Sequence, residues 1–177
     1  MLSDLESSFD AERRADLVAQ SAELAEAEHA SIEVVDRLRG TVGRPIHLRT
    51  RSGAPVDGVL TRVEPAYVLV DEGEGLQAIV PMAAVTTVAT LAGPAPRDDR
   101  RRPTLGALLR EIARRGVRVR LIAGAGEVMG RLIRVGADHV DIALDSEGRG
   151  CVRRATGAGV VGVVSVMTAA IEVLRSR

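Results

Sequence analysis

The chain has 177 residues, 46% apolar and 27% charged, which suits one medium or two small globular domains and excludes disorder throughout. All 24 basic residues are Arg, balanced by 24 acids, and Phe9 and Tyr67 are the whole aromatic set. So few rings argue against modules that stack several bases on aromatic side chains.

One cysteine, Cys151, excludes an internal disulfide framework or a cysteine-based zinc site and suits a reducing cytoplasm. No secretory leader is expected, because the first residues are acidic and lack a basic region followed by an apolar one. Charge is segregated along the chain. Residues 1–40 hold ten acids and four Arg, residues 41–96 five and four, and residues 97–177 nine and sixteen. An acidic front and a basic back point to intramolecular docking, head-to-tail association or an anionic partner. The plain alternative is a codon bias towards Arg, with Arg decorating solvated faces.

In chain order, residues 3–39 contain neither Gly nor Pro. Ser3 with Glu6 has capping-box spacing and Gly40 marks a stop, so residues 1–40 are predicted to form one long acidic helix, with a break at Ser21 or Ser31 left open. Leu17, Leu24 and Leu38 fit a heptad grid, but Ser31 occupies the missing place, so the coiled-coil pattern is poor. From Gly43 the apolar period becomes two. Ile46 and Leu48, then Val56, Leu60 and Val63, then Tyr67 to Val70, then Ala78 to Val80, then Val85 to Val88 read as short strands separated by tight turns. Together they predict a small barrel over residues 41–92. Residues 93–103, rich in Pro and Arg, read as a linker. Thr104 caps a helix that Gly116 stops, and strand patterns resume at Val117, so residues 104–177 predict a helix followed by a second barrel. Ala155 to Ile171 carries no charge, but it falls short of the roughly 20 residues that span a bilayer and is diluted by Gly157, Gly159 and Gly162. No membrane partner is expected.

The second strand region repeats the first. Gly58-Val59-Leu60-Thr61-Arg62-Val63 matches Gly130-Arg131-Leu132-Ile133-Arg134-Val135 at a spacing of 72, and Ala83-Ala84-Val85 matches Ala169-Ala170-Ile171 at a spacing of 86. The difference places an insertion of 14 residues between the third and fourth strands of the second copy. A helix-plus-five-strand unit therefore occurs twice.

A helix, a strand, a Gly turn, a strand reading G-x-L-x-x-V, an apolar strand and a final strand-turn-strand resemble the Sm-like fold, an SH3-like small barrel. The layout also resembles an uncharacterised actinobacterial family with an acidic N-terminal helix ahead of tandem barrels of this kind. The resemblance implies a mainly β protein with two tandem Sm-like barrels, each preceded by a helix. The Sm motif that holds RNA maps onto Glu64, Tyr67 and Val68 in one copy and Gly136, His139 and Val140 in the other. It makes Tyr67 and His139 candidates for base stacking. The motif's Asn is missing from both copies, and its Arg-Gly element is replaced by Val80-Pro81 and Val166-Met167.

Other motifs carry less. Gly157-x-Gly159-x-x-Gly162 spells a dinucleotide fingerprint but leads into β-branched residues instead of a helix, so Gly in a hairpin loop is the better account. His29, His47 and His139 have no neighbour at metal-ligand spacing, so no metal and no cofactor are expected. Cys151 lies among Arg149, Arg153 and Arg154, which would lower its pKa if they approached it. No nucleophile elbow, phosphate loop or carboxylate pair appears, and no enzyme activity is expected. Arg118 and Arg120 share a strand face, and Arg149, Arg153 and Arg154 sit in the insertion. If they converge, the five form an anion or nucleic-acid site through bidentate guanidinium contacts. The expected function is thus non-enzymatic binding in the cytoplasm. Either RNA or DNA is held through phosphate contacts, or the protein is an interaction scaffold that joins copies or partners through barrel edge strands and the acidic helix.

Overall fold

The structure, a computed structural model, describes residues 13, 17–24, 26–27, 29–96, 103–124, 126–144 and 162–177. They belong to two compact units, residues 1–34 and 35–177. In the first unit residues 17–24 are helical, and Leu17, Val18 and Leu24 are exposed. The expected long helix is not continuous. Ser31, Ile32 and Glu33 leave the helical conformation before a short helix, α1 (Val34–Gly40), begins. A serine that competes for backbone hydrogen bonds, followed by β-branched residues at 32, 34 and 35, makes this a poor helical stretch.

Among its described residues, the second unit has ten strands, one further α-helix and two short 3-10 turns, Met82–Ala84 and Thr168–Ala170. The first five strands are β1 (Pro45–Thr50), β2 (Pro55–Val63), β3 (Tyr67–Gly73), β4 (Leu76–Pro81) and β5 (Val85–Ala89). Then come α2 (Leu105–Arg115), β6 (Arg118–Ala123), β7 (Gly126–Val135), β8 (His139–Leu144), β9 (Val163–Met167) and β10 (Ile171–Ser176). The Thr104 hydroxyl accepts the Ala107 N–H to cap α2, and Gly116, at φ 62°, ends it in the left-handed region.

Two separate closed barrels are not what the strands form. They make one open antiparallel sheet of ten strands in the order β5-β1-β2-β3-β4-β10-β6-β7-β8-β9. The reason is the outer edge of β4. Instead of meeting β5, it pairs with β10 from the far end of the chain, with Leu174 opposite Ile79 and Arg175 opposite Ala78. The ladder thus runs from one half into the other.

The pairings in the two halves are nevertheless the same. β1 lies between β5 and β2 as β6 lies between β10 and β7, and β2-β3-β4 is followed in kind by β7-β8-β9. Both halves share a register break at the same repeat position, between Leu60 and Arg62 in one and between Leu132 and Arg134 in the other. Gly58 and Gly130 explain the shared G-x-L signature. A Cβ on either would lie 2.2 Å from the Asp71 carbonyl oxygen or 2.1 Å from that of Ala143. Only glycine lets these strands approach so closely. The three residues Met82–Ala84 join β4 to β5 although four strand spacings, about 19 Å, separate them along the ladder, so each half must curl strongly.

Two cores result, with a shared wall between them. Ile46, Leu48, Val56, Leu60, Val68, Val70 and Val80 fill the first with Leu38 of α1. Leu121, Leu132, Val140 and Ile142 fill the second with Leu109 and Ile112 of α2. Tyr67 and Ile79 come from the first half but pack in the second core, whereas Val173 of β10 packs in the first. β3, β4 and β10 are therefore covered on both faces. This accounts for their runs of consecutive buried residues, where β1 alternates strictly between exposed and buried.

Candidate functional site

Two polar clasps flank the seam between the halves. Glu172, 2% exposed, accepts hydrogen bonds from the Thr50 hydroxyl at 2.7 Å, the Ser52 hydroxyl at 2.5 Å and the Ser52 N–H at 2.9 Å. Burial pushes this carboxyl up, but the Ser52 and Thr50 hydroxyls, the Ser52 N–H and the nearby Arg51 outweigh it and hold Glu172 below the usual carboxylate range. Arg51 also donates to the Ala169 carbonyl at 2.9 Å. Three residues on, Arg175 forks onto Glu72 at 2.7 and 2.9 Å and donates to the Pro55 carbonyl at 2.8 Å. The β1–β2 turn and β3 of the first half are thus fastened to one strand of the second.

The ends of the sheet lack such fastening. Among the described residues, β5 and β9 each have a neighbouring strand on one side only. Leu144 N–H bonds to the Gly162 carbonyl and Thr168 N–H to that of Asp138. The even-numbered residues of β9 therefore bond to β8, and the backbone groups of Val163, Ser165 and Met167 point outward. On β5, the bond from Arg51 N–H to the Ala84 carbonyl, with His47 opposite Ala89, leaves the backbone of Val88 facing outward by the same alternation. Val163 and Met167 are half-exposed.

A cationic face lies beside the seam, on β10, β6 and β7. Arg175 of β10 lies opposite Arg120 of β6, and Arg118 lies opposite Arg131 of β7. Like charges directly across a ladder repel. Glu72 answers Arg175, and Glu127 answers Arg120 through contacts of 2.5 and 2.8 Å. At one end of this face a cavity of about 460 Å³ is lined by Leu76, Val119, Met129, Arg118, Arg120 and Arg175, among others.

The anticipated Arg118 and Arg120 do share this site. Arg149, Arg153 and Arg154, with Cys151, lie outside the described residues, as does most of the insertion. Arg175, Glu72 and Glu172 were not anticipated. The alternation Leu174-Arg175-Ser176-Arg177 was a readable hint of a second cationic strand, but their partners lie more than a hundred residues away.

Tyr67 is wholly buried in the second core, so the ring face that a base would stack on is covered by protein. His139 holds the equivalent place in the second half and stays partly exposed. Its ring lies against Gly136, where a Cβ would come within 2.4 Å of Cε1. His139 Nδ1 is 2.8 Å from Asp138 Oδ1, and this hydrogen bond keeps the Asp138 carboxyl below its usual range. Its Nε2 is 4.0 Å from Asp141 Oδ1, to which the Ser165 hydroxyl donates at 2.6 Å. The serine bonds to the aspartate and not to the imidazole, so the histidine is not placed to activate it as a nucleophile. His47 pairs with Asp57 at 2.8 Å on an exposed strand face.

Among the described residues, no group of three His, Cys, Asp or Glu is arranged to hold a metal ion, and no helix is long and apolar enough to cross a membrane. Compared with known proteins, the chain matches no family model and no curated relative.

Proposed function

We propose that this protein is a non-enzymatic scaffold that joins copies of itself head to tail, the β5 edge of one copy pairing with the β9 edge of the next. The observation that carries this reading is the β4–β10 seam within the chain. By the repeat spacing of 86, β5 is the counterpart of β10 and β9 the counterpart of β4. The chain satisfies one such pair of edges internally and leaves the other pair at the ends of its sheet. Unpaired strand edges are templates for further pairing. Transferring the internal register puts Val88 opposite Ser165 and Ala89 opposite Val164. Val88 and Ser165 are also the residues whose backbone groups face outward.

The joint between copies is weaker than the internal seam. Thr86 stands where Glu172 would be and Ala89 where Arg175 would be, so neither clasp is repeated. Because the contact uses two different surfaces, it builds rings or filaments according to the rotation per step. Nucleic-acid binding has less support: Tyr67 is buried, and three of the five anticipated Arg lie outside the described residues. A cytoplasmic location fits the single cysteine and belongs to the same proposal.

Solution mass measured across a wide concentration range tests the reading. Mass should rise with concentration, and Ser165→Pro, which removes an outward N–H while sparing the β8 ladder, should hold the protein monomeric with its unfolding midpoint nearly unchanged. A mass that stays monomeric at every concentration would overturn the proposal.

A further inference from the structure

The seam covers side chains as well as strand edges, and the repeat shows which positions it covers. From the first half, Tyr67 and Ile79 are buried in the same core as Ile171 and Leu174 of the second. Ile79 lies directly opposite Leu174 across the ladder. Leu69 packs against this core from the same face.

At the two ends of the sheet the counterparts of these residues lack that cover. The spacing of 86 turns Ile171 and Leu174 into Val85 and Val88, which pack at the margin of the first core and stay partly exposed. The spacings of 72 and 86 turn Tyr67, Leu69 and Ile79 into His139, Asp141 and Ser165. Ser165 is exposed and His139 partly so. The receiving rim is thus apolar, as in the seam, whereas the face that would fill it is polar. Its groups are tied to one another. The Ser165 hydroxyl donates to Asp141, and His139 pairs with Asp138. Arg134 lies across the ladder from Asp141 and adds a further charge. Half-exposed Met167, opposite His139 on β9, is the apolar member of the face. Covering polar groups with apolar side chains costs free energy that the seam does not incur.

Resting on the head-to-tail reading above, we propose that the outer face of β8 and β9 is the side-chain contact between copies. It sits on the Val85 and Val88 rim of the next copy, and His139 and Asp141 limit its strength. The occupant of the rim is a second copy of this chain, because within the chain the equivalent rim is filled by the equivalent face. The polar residues keep the assembly reversible where the seam is permanent.

Two measurements separate this inference from the edge pairing it rests on. The first is oxidation of an equal mixture of two full-length chains, Val88→Cys and Ser165→Cys, each with Cys151→Ser. Copies that meet in the inherited register bring the two thiols opposite each other, within disulfide reach, so the mixed dimer should exceed either homodimer. The second is sedimentation equilibrium of His139→Tyr combined with Asp141→Leu, which copies the seam's own residues onto this face. Self-association should tighten about tenfold or more, and the same mixed cross-link should form in that background. A mixed cross-link in the parent chain with no gain in the double variant would overturn the inference and leave head-to-tail pairing standing. A double variant that associates without the mixed cross-link would mark a merely sticky surface and also overturn it. No mixed cross-link in either background would remove the edge pairing and the inference together.

Discussion

Arg175 holds Glu72 by two parallel contacts of 2.7 and 2.9 Å, and so binds the last strand of the second half to the third strand of the first. Both side chains are nearly buried, at 13% and 12% exposure. Removing one partner leaves the other charge poorly solvated. Arg175→Met should therefore destabilise the fold by about 3 kcal/mol in denaturant titrations. Pairing it with Glu72→Leu should recover part of that loss. A cost below about 1 kcal/mol would mark the pair as a surface ion pair instead.

Glu172 sets an acid limit on stability. Its folded-state pKa is depressed, so its contribution is fully present above the ordinary glutamate value near 4.5 and is lost as pH falls through the lower folded value. Thermal midpoints measured from pH 7 down to pH 3 should fall at the acid end. In Glu172→Gln that limb should flatten, with the midpoint already lowered at pH 7. A variant with the wild-type acid slope would show that other carboxylates carry it.

Gly58 and Gly130 make an internal control on the repeat. In each, an added methyl group would meet a backbone carbonyl oxygen at little more than 2 Å, which backbone movement alone relieves. Gly58→Ala and Gly130→Ala should each cost about 3 kcal/mol or more, by similar amounts. A mild cost at one site alone, read by chemical denaturation, would show that its strand crossing is looser than its counterpart's.

The missing clasp between copies suggests a gain of function. Ala89 is the counterpart of Arg175 and Leu144 that of Glu72. Ala89→Arg with Leu144→Glu should tighten self-association about tenfold, equivalent to 1.4 kcal/mol, while neither single change does so. Sedimentation equilibrium of the three variants decides. No gain in the double variant would mean that copies do not meet in the inherited register.

Local features were readable from the residues alone. Turns at Gly53 and Gly73, the capped helix from Thr104 and the duplicated G-x-L strand follow from spacing and residue type. The sheet's connectivity was not. Tyr67 to Val70 and Ala78 to Pro81 resemble ordinary strands of a closed barrel, although their lack of alternation signals cover on both faces. In the second half the same positions are His139, Asp141 and Ser165, which marks a face without that cover. Nothing local says that the outer edge of β4 receives β10, because that choice depends on groups such as Glu172 and Thr50, 122 residues apart. The long helix failed for a related reason. The absence of Gly and Pro permits a helix, but it does not compel one through Ser31 and the β-branched residues after it.

The wall of β3, β4 and β10 has a consequence for cooperativity. Each core is closed by strands whose other face closes its neighbour, so neither half can open without stripping cover from both. Amide protons of Val68, Val80 and Leu174 should therefore exchange with solvent at one common free energy, close to that of global unfolding. Those of β5 and β9 should exchange through smaller openings. Although the sequence is a duplication, its halves should melt as one body, and a chain divided at residues 97–102 should yield two fragments that each need the other to fold.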